Sequence, residues 1–300
     1  MPEQARRAAP RPLDTQRLGP QAVRRELGRA GLVPRHALSQ NFLADAEVLE
    51  AILLEAAAAP RRRIVEIGPG LGVLTGELLA VGASVTAVEL DRRLAEYLRE
   101  RFRPALHQPP ATSGSLRLIE SDILELDVAE LAEQPYEVVA NLPYHITSPL
   151  LHLFLGSSAR PERMVLMVQL EVAERLGARP GEMSYLSVFT QYHADVRIAR
   201  RVPAAAFEPA PDVDSAVVVL EVRPRALAVD AEEWLWRVVQ AGFRERRKMI
   251  HNVLPRQLPG LEAPRLDDAL AALDIDPTRR PQTLSVDEWM LLAERLRPPG

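Results

Sequence analysis

Asn141, Leu142, Pro143 and Tyr144 follow directly on the apolar run Val138-Val139-Ala140, so an amide, a rigid turn and an aromatic ring stand together at a strand exit. These are the parts needed to methylate an exocyclic amine. The N6 amine of adenine is a weak nucleophile because its lone pair is delocalised into the ring. It must therefore be hydrogen-bonded and oriented rather than simply deprotonated. The Asn141 side-chain oxygen and the Leu142 carbonyl can both accept from such an amine, Pro143 fixes the turn, and Tyr144 offers a face on which the base stacks.

Three further strand ends carry chemistry of a related kind. Glu66-Ile67-Gly68-Pro69-Gly70-Leu71-Gly72 closes one apolar run and opens a helical one, and glycines there let backbone N–H groups approach a ligand closely. A dinucleotide fingerprint G-x-G-x-x-G would need glycine at 73, where Val73 stands, which opposes an NAD-dependent dehydrogenase. The spacing is instead G-x-G-x-G, common in enzymes that bind S-adenosylmethionine. Glu89 ends the next strand, where a carboxylate can take both hydroxyls of a ribose, and Asp122 ends the third, placed to accept from an adenine amino group. Phe207, in the proline-flanked loop Phe207-Glu208-Pro209-Ala210-Pro211, is a candidate stacking platform.

These groups need a sheet to bring them to one edge. Arg63–Ile67, Ser84–Leu90, Leu116–Glu120 and Tyr136–Ala140 have the length and composition of strands, with helical periods over Leu71–Leu79 and Arg92–Phe102 between the first three. Alternation of this kind predicts right-handed crossovers and a mainly parallel sheet, with ligands beyond the carboxyl ends of its strands. Met164–Val168, Val188–Ile198 and Asp214–Val222 continue the strand series, with a helix over Glu171–Leu176. Upstream, Gln21–Gly31 has a helical pattern, and Asp45 is placed to cap a helix carrying Val48, Leu49, Ile52 and Leu53. Past Pro224 the pattern is helical only: Glu232–Phe243 running on to Leu254, Leu266–Leu273 and Val286–Leu296. The expected organisation is a disordered extension over 1–18, an α/β domain over 19–223 and a small all-helical domain over 224–300.

A chain of 300 residues, 47% hydrophobic and 26% charged, is globular in composition. No run approaches the length of a membrane-spanning helix, and the start Met1-Pro2-Glu3-Gln4-Ala5-Arg6-Arg7 has no apolar signal core, so a cytoplasmic protein is expected. The absence of cysteine excludes disulfides, thiolate metal sites and cysteine nucleophiles. The net charge of −4 argues against indiscriminate coating of nucleic acid, yet residues 1–35 and 237–256 each carry a local +5. Between Trp236 and Leu254, Arg244, Arg247, Lys248 and His251 recur at i, i+3, i+4 and i+7, away from the apolar stripe Trp236, Val239, Phe243, Ile250 and Leu254. That predicts one basic helix face able to follow a phosphate backbone.

Seven ordered motifs now carry a resemblance: Ser39-Gln40-Asn41-Phe42-Leu43, Glu66–Gly72, Asn141–Tyr144, Glu171–Leu176, Phe207–Pro211, Val213–Val217 and Phe243–Asn252. From about Leu18 to Leu296 the chain resembles the small-subunit ribosomal RNA adenine N6,N6-dimethyltransferases of the KsgA/RsmA type. The resemblance implies a seven-stranded, Rossmann-like class I methyltransferase sheet, S-adenosylmethionine as donor, and two adjacent adenosines in a conserved hairpin loop of the small-subunit (16S) RNA as target. It implies roles as well: Asn41 and Leu43 along the methionine side, Gly68 under the cofactor, Glu89 on the ribose, Asp122 at the adenine, and Asn141 and Tyr144 at the target base, which Phe207 would sandwich against Tyr144. Gln40, Gly70, Leu90 and Ile123 complete the expected cofactor set, with Asn141 shared between cofactor and base. The donor's sulfonium is already an activated electrophile, so no metal is expected. The expected partner is RNA in an assembling ribosomal subunit, met by a monomer without any membrane.

The chain departs from the family pattern at His36 and Ser39, where relatives usually carry a basic Lys and a Gly, at Leu170, where Lys is frequent, and in a shortened loop over Arg179–Tyr185. Two other readings share the fold: a large-subunit RNA adenine methyltransferase of the Erm type, and a noncatalytic RNA-binding assembly factor. The Glu171–Leu176 and Val213–Val217 motifs favour the small-subunit enzyme over the first. The intact Asn141–Tyr144 and Glu89 favour it over the second.

Overall fold

The computed structural model describes residues 18–107, 114–143 and 146–298. The expected disordered extension lies outside them except for Leu18. The chain divides into two compact units, one of residues 1–173 and 197–222, the other of 174–196 and 223–300.

The first unit begins with α1 (Pro20–Ala30), whose register buries Val23, Glu26 and Leu27 and which ends on Gly31 in the left-handed region. A two-residue strand, β1 (Phe42–Leu43), leads into α2 (Ala46–Glu55). The Asp45 carboxylate accepts from the Val48 N–H at 3.0 Å and caps α2. There follow β2 (Arg63–Ile67), α3 (Val73–Ala80), β3 (Ser84–Glu89), α4 (Arg92–Arg101), α5 (Arg103–His107), β4 (Ser115–Glu120), β5 (Glu137–Asn141), α6 (Thr147–Gly156), β6 (Arg163–Gln169) and α7 (Leu170–Leu176). After α8 (Tyr185–His193) come β7 (Ala194–Val202), the short β8 (Phe207–Glu208) and β9 (Ser215–Val222). Seven strands form one sheet in the order β4-β3-β2-β5-β6-β9-β7. β4 through β6 run parallel, and β9 pairs antiparallel with β6. The seven-stranded sheet expected from the resemblance is thus the one observed. Its central strands are buried on both faces, as near-continuous apolar runs such as Val138-Val139-Ala140 require.

One strand assignment needs correction. Val188–Ile198 is a strand only from Ala194 onward, and Tyr185–His193 is the helix α8. The run Val188-Phe189-Thr190 has strand-like composition, but the Ser184 hydroxyl accepts from the Ser187 N–H while the Ser187 hydroxyl accepts from the Ser184 N–H, and this reciprocal cap starts a helix. No helix was expected over α6, an apolar segment without a polar face.

The second unit adds α9 (Val229–Phe243), α10 (Ile250–Gln257), α11 (Ala263–Ala272) and α12 (Val286–Leu296). Its core joins Leu235, Val238 and Val239 to Leu266, Leu270, Trp289 and Leu292, and also to Met183, Val188 and Tyr192. Those last residues explain why the observed division differs from a boundary at 223/224: Glu174–Val196 belongs to the helical unit because α8 buries its apolar face there. Packing is tight enough that a Cβ on Gly242 would stand 2.4 Å from the Trp289 ring.

The single helix expected from Glu232 to Leu254 is two helices. α9 stops at Phe243, residues 244–247 form turns, and α10 starts at Ile250 after an extended Met249. No glycine or proline lies between 243 and 250, so the break has a tertiary cause. The Ile250 N–H donates to the Arg279 carbonyl at 2.8 Å, and the Glu245 carboxylate accepts from Arg256 and Gln257 at 3.1 and 3.2 Å. These bonds fold the segment back and end the helical ladder.

Candidate functional site

At the carboxyl ends of β2, β3, β4 and β5 lies a cleft of about 1310 Å³, its open mouth included. Parallel pairing sets the register: Ile67 stands beside Val88 and Ala140, and Glu89 beside Glu120, so each strand delivers its last residue to the same edge. Gln40, Asn41, Leu43, Gly68, Gly70, Glu89, Leu90, Asp122, Ile123, Asn141, Leu142, Pro143 and Phe207 all line this cleft. Tyr144 lies outside the described residues.

Gly68, Gly70 and Gly72 all have positive φ, but their surroundings differ. A Cβ on Gly68 would meet only the Asn141 carbonyl oxygen, at 3.8 Å, so this position leaves space beside the cleft. A Cβ on Gly70 would press on the Phe42 ring at 3.1 Å, and one on Gly72 would run into Phe102 at 2.5 Å and Leu98 at 2.8 Å. Gly72 therefore serves the packing of α4 under the loop, whereas Gly68 serves the open side. Gly72 is also the N-cap of α3, so the loop ends where free N–H groups begin.

Glu89 is 5% exposed, and each carboxylate oxygen accepts a backbone N–H, Oε1 from Asp91 at 2.8 Å and Oε2 from Gly70 at 3.2 Å. Burial nonetheless pushes its carboxyl up to about 7. Glu66, deeper in the same wall, is also pushed up to about 7, first by burial and further by the Glu89 charge, although the Thr75 hydroxyl donates to it at 2.7 Å. Asp122 instead caps its own turn, accepting from the Leu124 N–H at 2.9 Å. The apolar walls beside these acids are Leu90, half exposed, and Ile123, buried.

The segment before β1 closes one side. The Gln40 amide is engaged at both ends, donating to Asp91 at 2.9 Å and accepting from the Arg35 N–H at 2.7 Å. Asp91 also accepts from Arg93, and despite the opposing effect of burial its carboxyl sits down at about 2. Gln40 thus ties the segment to the end of β3. Ser39 lies in the left-handed region at φ 49° and ψ 40°, a conformation that glycine adopts without strain. The Asn141 side chain donates through Nδ2 to the Asn41 carbonyl at 3.2 Å, bridging β5 to the same segment. Phe207 pairs with Leu43 in the two-stranded ladder of β8 and β1 and is only 2% exposed. It stands as a wall of the cleft.

Phe42, Glu66, Ser121 and Ile146 also line the cleft; Phe42 and Glu66 stand within motifs quoted from the sequence, but none of the four was given a role there. Glu66 had a signal, since an acid three residues inside an apolar strand and next to a glycine turn is costly to bury without purpose. The basic set fares differently. Arg244, Arg247 and Lys248 lie in the turns after α9 and His251 lies on α10, so they do not form one helix face. The Arg244 guanidinium donates to Gln257 at 3.0 Å and His251 pairs with Asp267 at 2.8 Å. Arg247 and Lys248 are exposed, without a side-chain partner among the described residues. Lys248 and His251 share a shallow hollow with Asn252 and Arg256.

Comparison with known proteins places this geometry. The family model described as ribosomal RNA adenine dimethylase matches residues 33–297. The chain is similar to the ribosomal RNA small subunit methyltransferase A of Moorella thermoacetica, 41% identical over 89% of this chain and 94% of that protein. It is similar also to that of Acaryochloris marina, 43% identical over 88% and 98%. Among solved structures, the 23S rRNA methyltransferase ErmE superposes with a TM-score of 0.66 at 30% identity, covering 85% of this chain and 99% of that one. A dimethyladenosine transferase from Plasmodium falciparum gives 0.69 at 25% identity, covering 84% and 95%. The sheet is that of a class I methyltransferase, and the chain belongs to the ribosomal RNA adenine dimethylase family.

Proposed function

We propose that this protein transfers methyl groups from S-adenosylmethionine to N6 of two adjacent adenosines in a hairpin loop of small-subunit (16S) ribosomal RNA, giving N6,N6-dimethyladenosine. The observation that carries the reading is the convergence of Glu89, Asp122 and the Asn141–Pro143 turn on one cleft in a chain with 41–43% identity to small-subunit enzymes. That identity favours the small subunit over the large-subunit target named for ErmE, at 30%.

The cleft fits the donor. Its apolar walls at Leu90 and Ile123 suit an adenine, Asp122 lies beside them to accept from the amino group, and the buried Glu89 carboxylate suits paired ribose hydroxyls. Gly68 leaves room for close approach, with Asn41 and Leu43 on the other wall. When bound, S-adenosylmethionine supplies an electrophilic methyl group. The protein's part is positioning: with the Asn141 amino end committed to the Asn41 carbonyl, the amide oxygen is the end that serves a donor, and it accepts from the adenine N6 together with the Leu142 carbonyl. Such acceptors gain strength as N6 develops positive charge, so they favour the transition state over the ground state. Tyr144 and Phe207 stack on the base, Phe207 from its place in the cleft wall. N6-methyladenine retains one N–H and is still held, whereas the dimethyl product has none and is released.

Arg247 and Lys248, exposed beside the hollow at His251, meet RNA phosphate, with Arg244 at their edge. The protein acts in the cytoplasm as a monomer on assembling subunits, and no described helix is long and apolar enough to cross a membrane. Mass spectrometry of small-subunit RNA incubated with the protein and labelled donor tests the reading. Two adjacent N6,N6-dimethyladenosines are expected, and label appearing only in large-subunit RNA would overturn it.

A further inference from the structure

The glycine-rich loop is held from two sides, and only one of them belongs to the expected ligand set. On the cleft side the Gly70 N–H donates to Glu89. On the far side the Leu71 carbonyl, just outside α3, accepts from the guanidinium of Arg101 at the end of α4. Arg101 also donates to the Tyr97 hydroxyl at 3.2 Å, which itself donates to Glu26 of α1 at 2.8 Å, and Glu26 accepts from Arg29 at 2.7 Å. An unbroken series of hydrogen bonds thus runs from α1 through α4 to the loop.

The placement of Arg101 is costly, which argues against an incidental surface contact. Its guanidinium lies 5.1 Å from the Phe102 ring centroid and 6.0 Å from that of Tyr97, and its Nε is buried with no hydrogen-bond partner. Burying that Nε unpaired costs free energy, which is offset only if the remaining N–H groups are well used. Tyr97 suits the relay, since burial pushes its phenol up to about 12 and keeps the proton that lets it donate and accept at once. An independent observation marks the same contact: the absence of a side chain at Gly72 is what lets Phe102 and Leu98 lie against the loop.

We propose that Arg101 is a positioning residue for the methyl donor: by holding the Leu71 carbonyl it keeps the loop from Gly68 to Gly72 in its ligand-ready conformation, with Tyr97 and Glu26 anchoring it to α1. The proposal rests on the reading of the cleft as the donor site. A loop held in advance does not lose conformational freedom when the ligand arrives, so the effect falls on donor affinity rather than on the chemical step.

The test uses the full chain with S-adenosylhomocysteine as probe, measured by calorimetry well below the melting temperature. Arg101→Met, which keeps an unbranched apolar stem and removes the guanidinium with its donors, should raise the dissociation constant about tenfold. Arg101→Lys should recover at least half of that loss on a logarithmic scale, and Tyr97→Phe should raise it two- to threefold. In methylation assays the KM for the donor should rise in parallel, with kcat at saturating donor and the KM for RNA unmoved. A purely structural role would lower the melting temperature and leave affinity intact. Wild-type affinity in Arg101→Met would overturn the proposal alone. Should Arg101→Met not fold, unchanged affinity in both Arg101→Lys and Tyr97→Phe would overturn it equally. A wild type that binds no S-adenosylhomocysteine would overturn the reading of the cleft and the proposal with it.

Discussion

The cleft at the strand ends and the basic turn after α9 hold their polar groups in opposite ways. In the cleft, Glu89 and Glu66 are almost out of reach of water, and their oxygens are met by backbone N–H groups or a hydroxyl. In the turn, Arg247 and Lys248 are exposed and carry no side-chain partner among the described residues. The cleft holds these groups in place before any ligand arrives, although burial still disfavours their charged forms, so each is preorganised and individually expensive to lose. The cations of the turn are screened, interchangeable and additive. The contrast predicts large, specific effects from single substitutions in the first region and small, salt-dependent ones in the second.

The largest effect should come from Asn141→Ala. The interaction assigned to it strengthens only as N6 gains charge, so single-turnover methylation should fall about 100-fold, on the order of 3 kcal/mol, while RNA binding stays unchanged. Survival of the rate within about threefold would place Asn141 outside the chemical step. The Asn141 side chain also donates to the Asn41 carbonyl, so a fall in donor affinity of equal size would mark it instead as a strut of the cofactor wall.

Next in size is Glu89→Ala, with an expected loss of about 2 kcal/mol in donor affinity, the scale for a charged hydrogen-bond partner. The wild type should show a pH dependence of matching origin. Its carboxyl lies at about 7 in the free protein, and ribose hydroxyls favour the ionised form. Affinity for S-adenosylhomocysteine should therefore rise between about pH 6 and 8, and binding should release protons in that window. Stability of the free protein has the other sign. Glu66 and Glu89 hold protons in the folded state to about 7, against an ordinary value of 4.5. The stability they contribute is thus complete below about 4.5 and is lost as pH rises through about 7. Calorimetry in buffers of different ionisation enthalpy checks the first, and chemical denaturation across the same range the second. A flat affinity profile would detach Glu89 from the ribose.

The two regions also differ in how far the chain's pattern reveals them. The cleft was legible because a parallel sheet places successive strand ends at one edge, so Gly68, Glu89, Asp122 and Asn141 needed only their strands to be recognised. The basic face was not, because its four positions were counted on a helix that ends at Phe243. What ends it is the Ile250 N–H on the Arg279 carbonyl, a bond between residues far apart in sequence. The helix α8 was missed for a local reason, since its cap uses Ser187 where Glu or Gln gives the familiar signature. Glu66 was given no role although its place in an apolar strand was a signal, and Arg101 was passed over because its contact is with a backbone carbonyl, which has no motif.

For the turn, Arg247→Gln with Lys248→Gln should weaken RNA binding a few-fold at moderate salt and flatten its salt dependence by about 1.5 log units per log unit of salt, the release expected for two phosphate contacts. Adding Arg244→Gln should contribute less, because that side chain is already engaged by Gln257. Donor affinity should not change in either variant. An unaltered salt slope, read by filter binding to assembled subunits, would reduce the turn to ordinary solvated surface and leave RNA recognition to other parts of the chain.

The smallest effect expected is at Ser39, and it tests whether the cleft's preorganisation extends to its backbone. Ser39 holds φ at 49° on the cleft wall, in a region that costs a non-glycine residue about 1 kcal/mol or more. Glycine would remove that strain but would widen the unfolded ensemble, an opposing contribution of about 0.5–1 kcal/mol. Ser39→Gly should therefore change stability by no more than about 0.5 kcal/mol, in the stabilising direction, as read by urea denaturation. The Ser39 carbonyl, which accepts from Asn41 Nδ2 at 3.3 Å, is untouched by the change, so the wall should keep its shape and donor affinity should stay within twofold. A loss of 1 kcal/mol or more would mean that the Ser39 side chain contributes a contact outweighing its strain. The same stability with a large fall in donor affinity would mean that the strained turn, and not only the carboxylates behind it, is part of what readies the cleft.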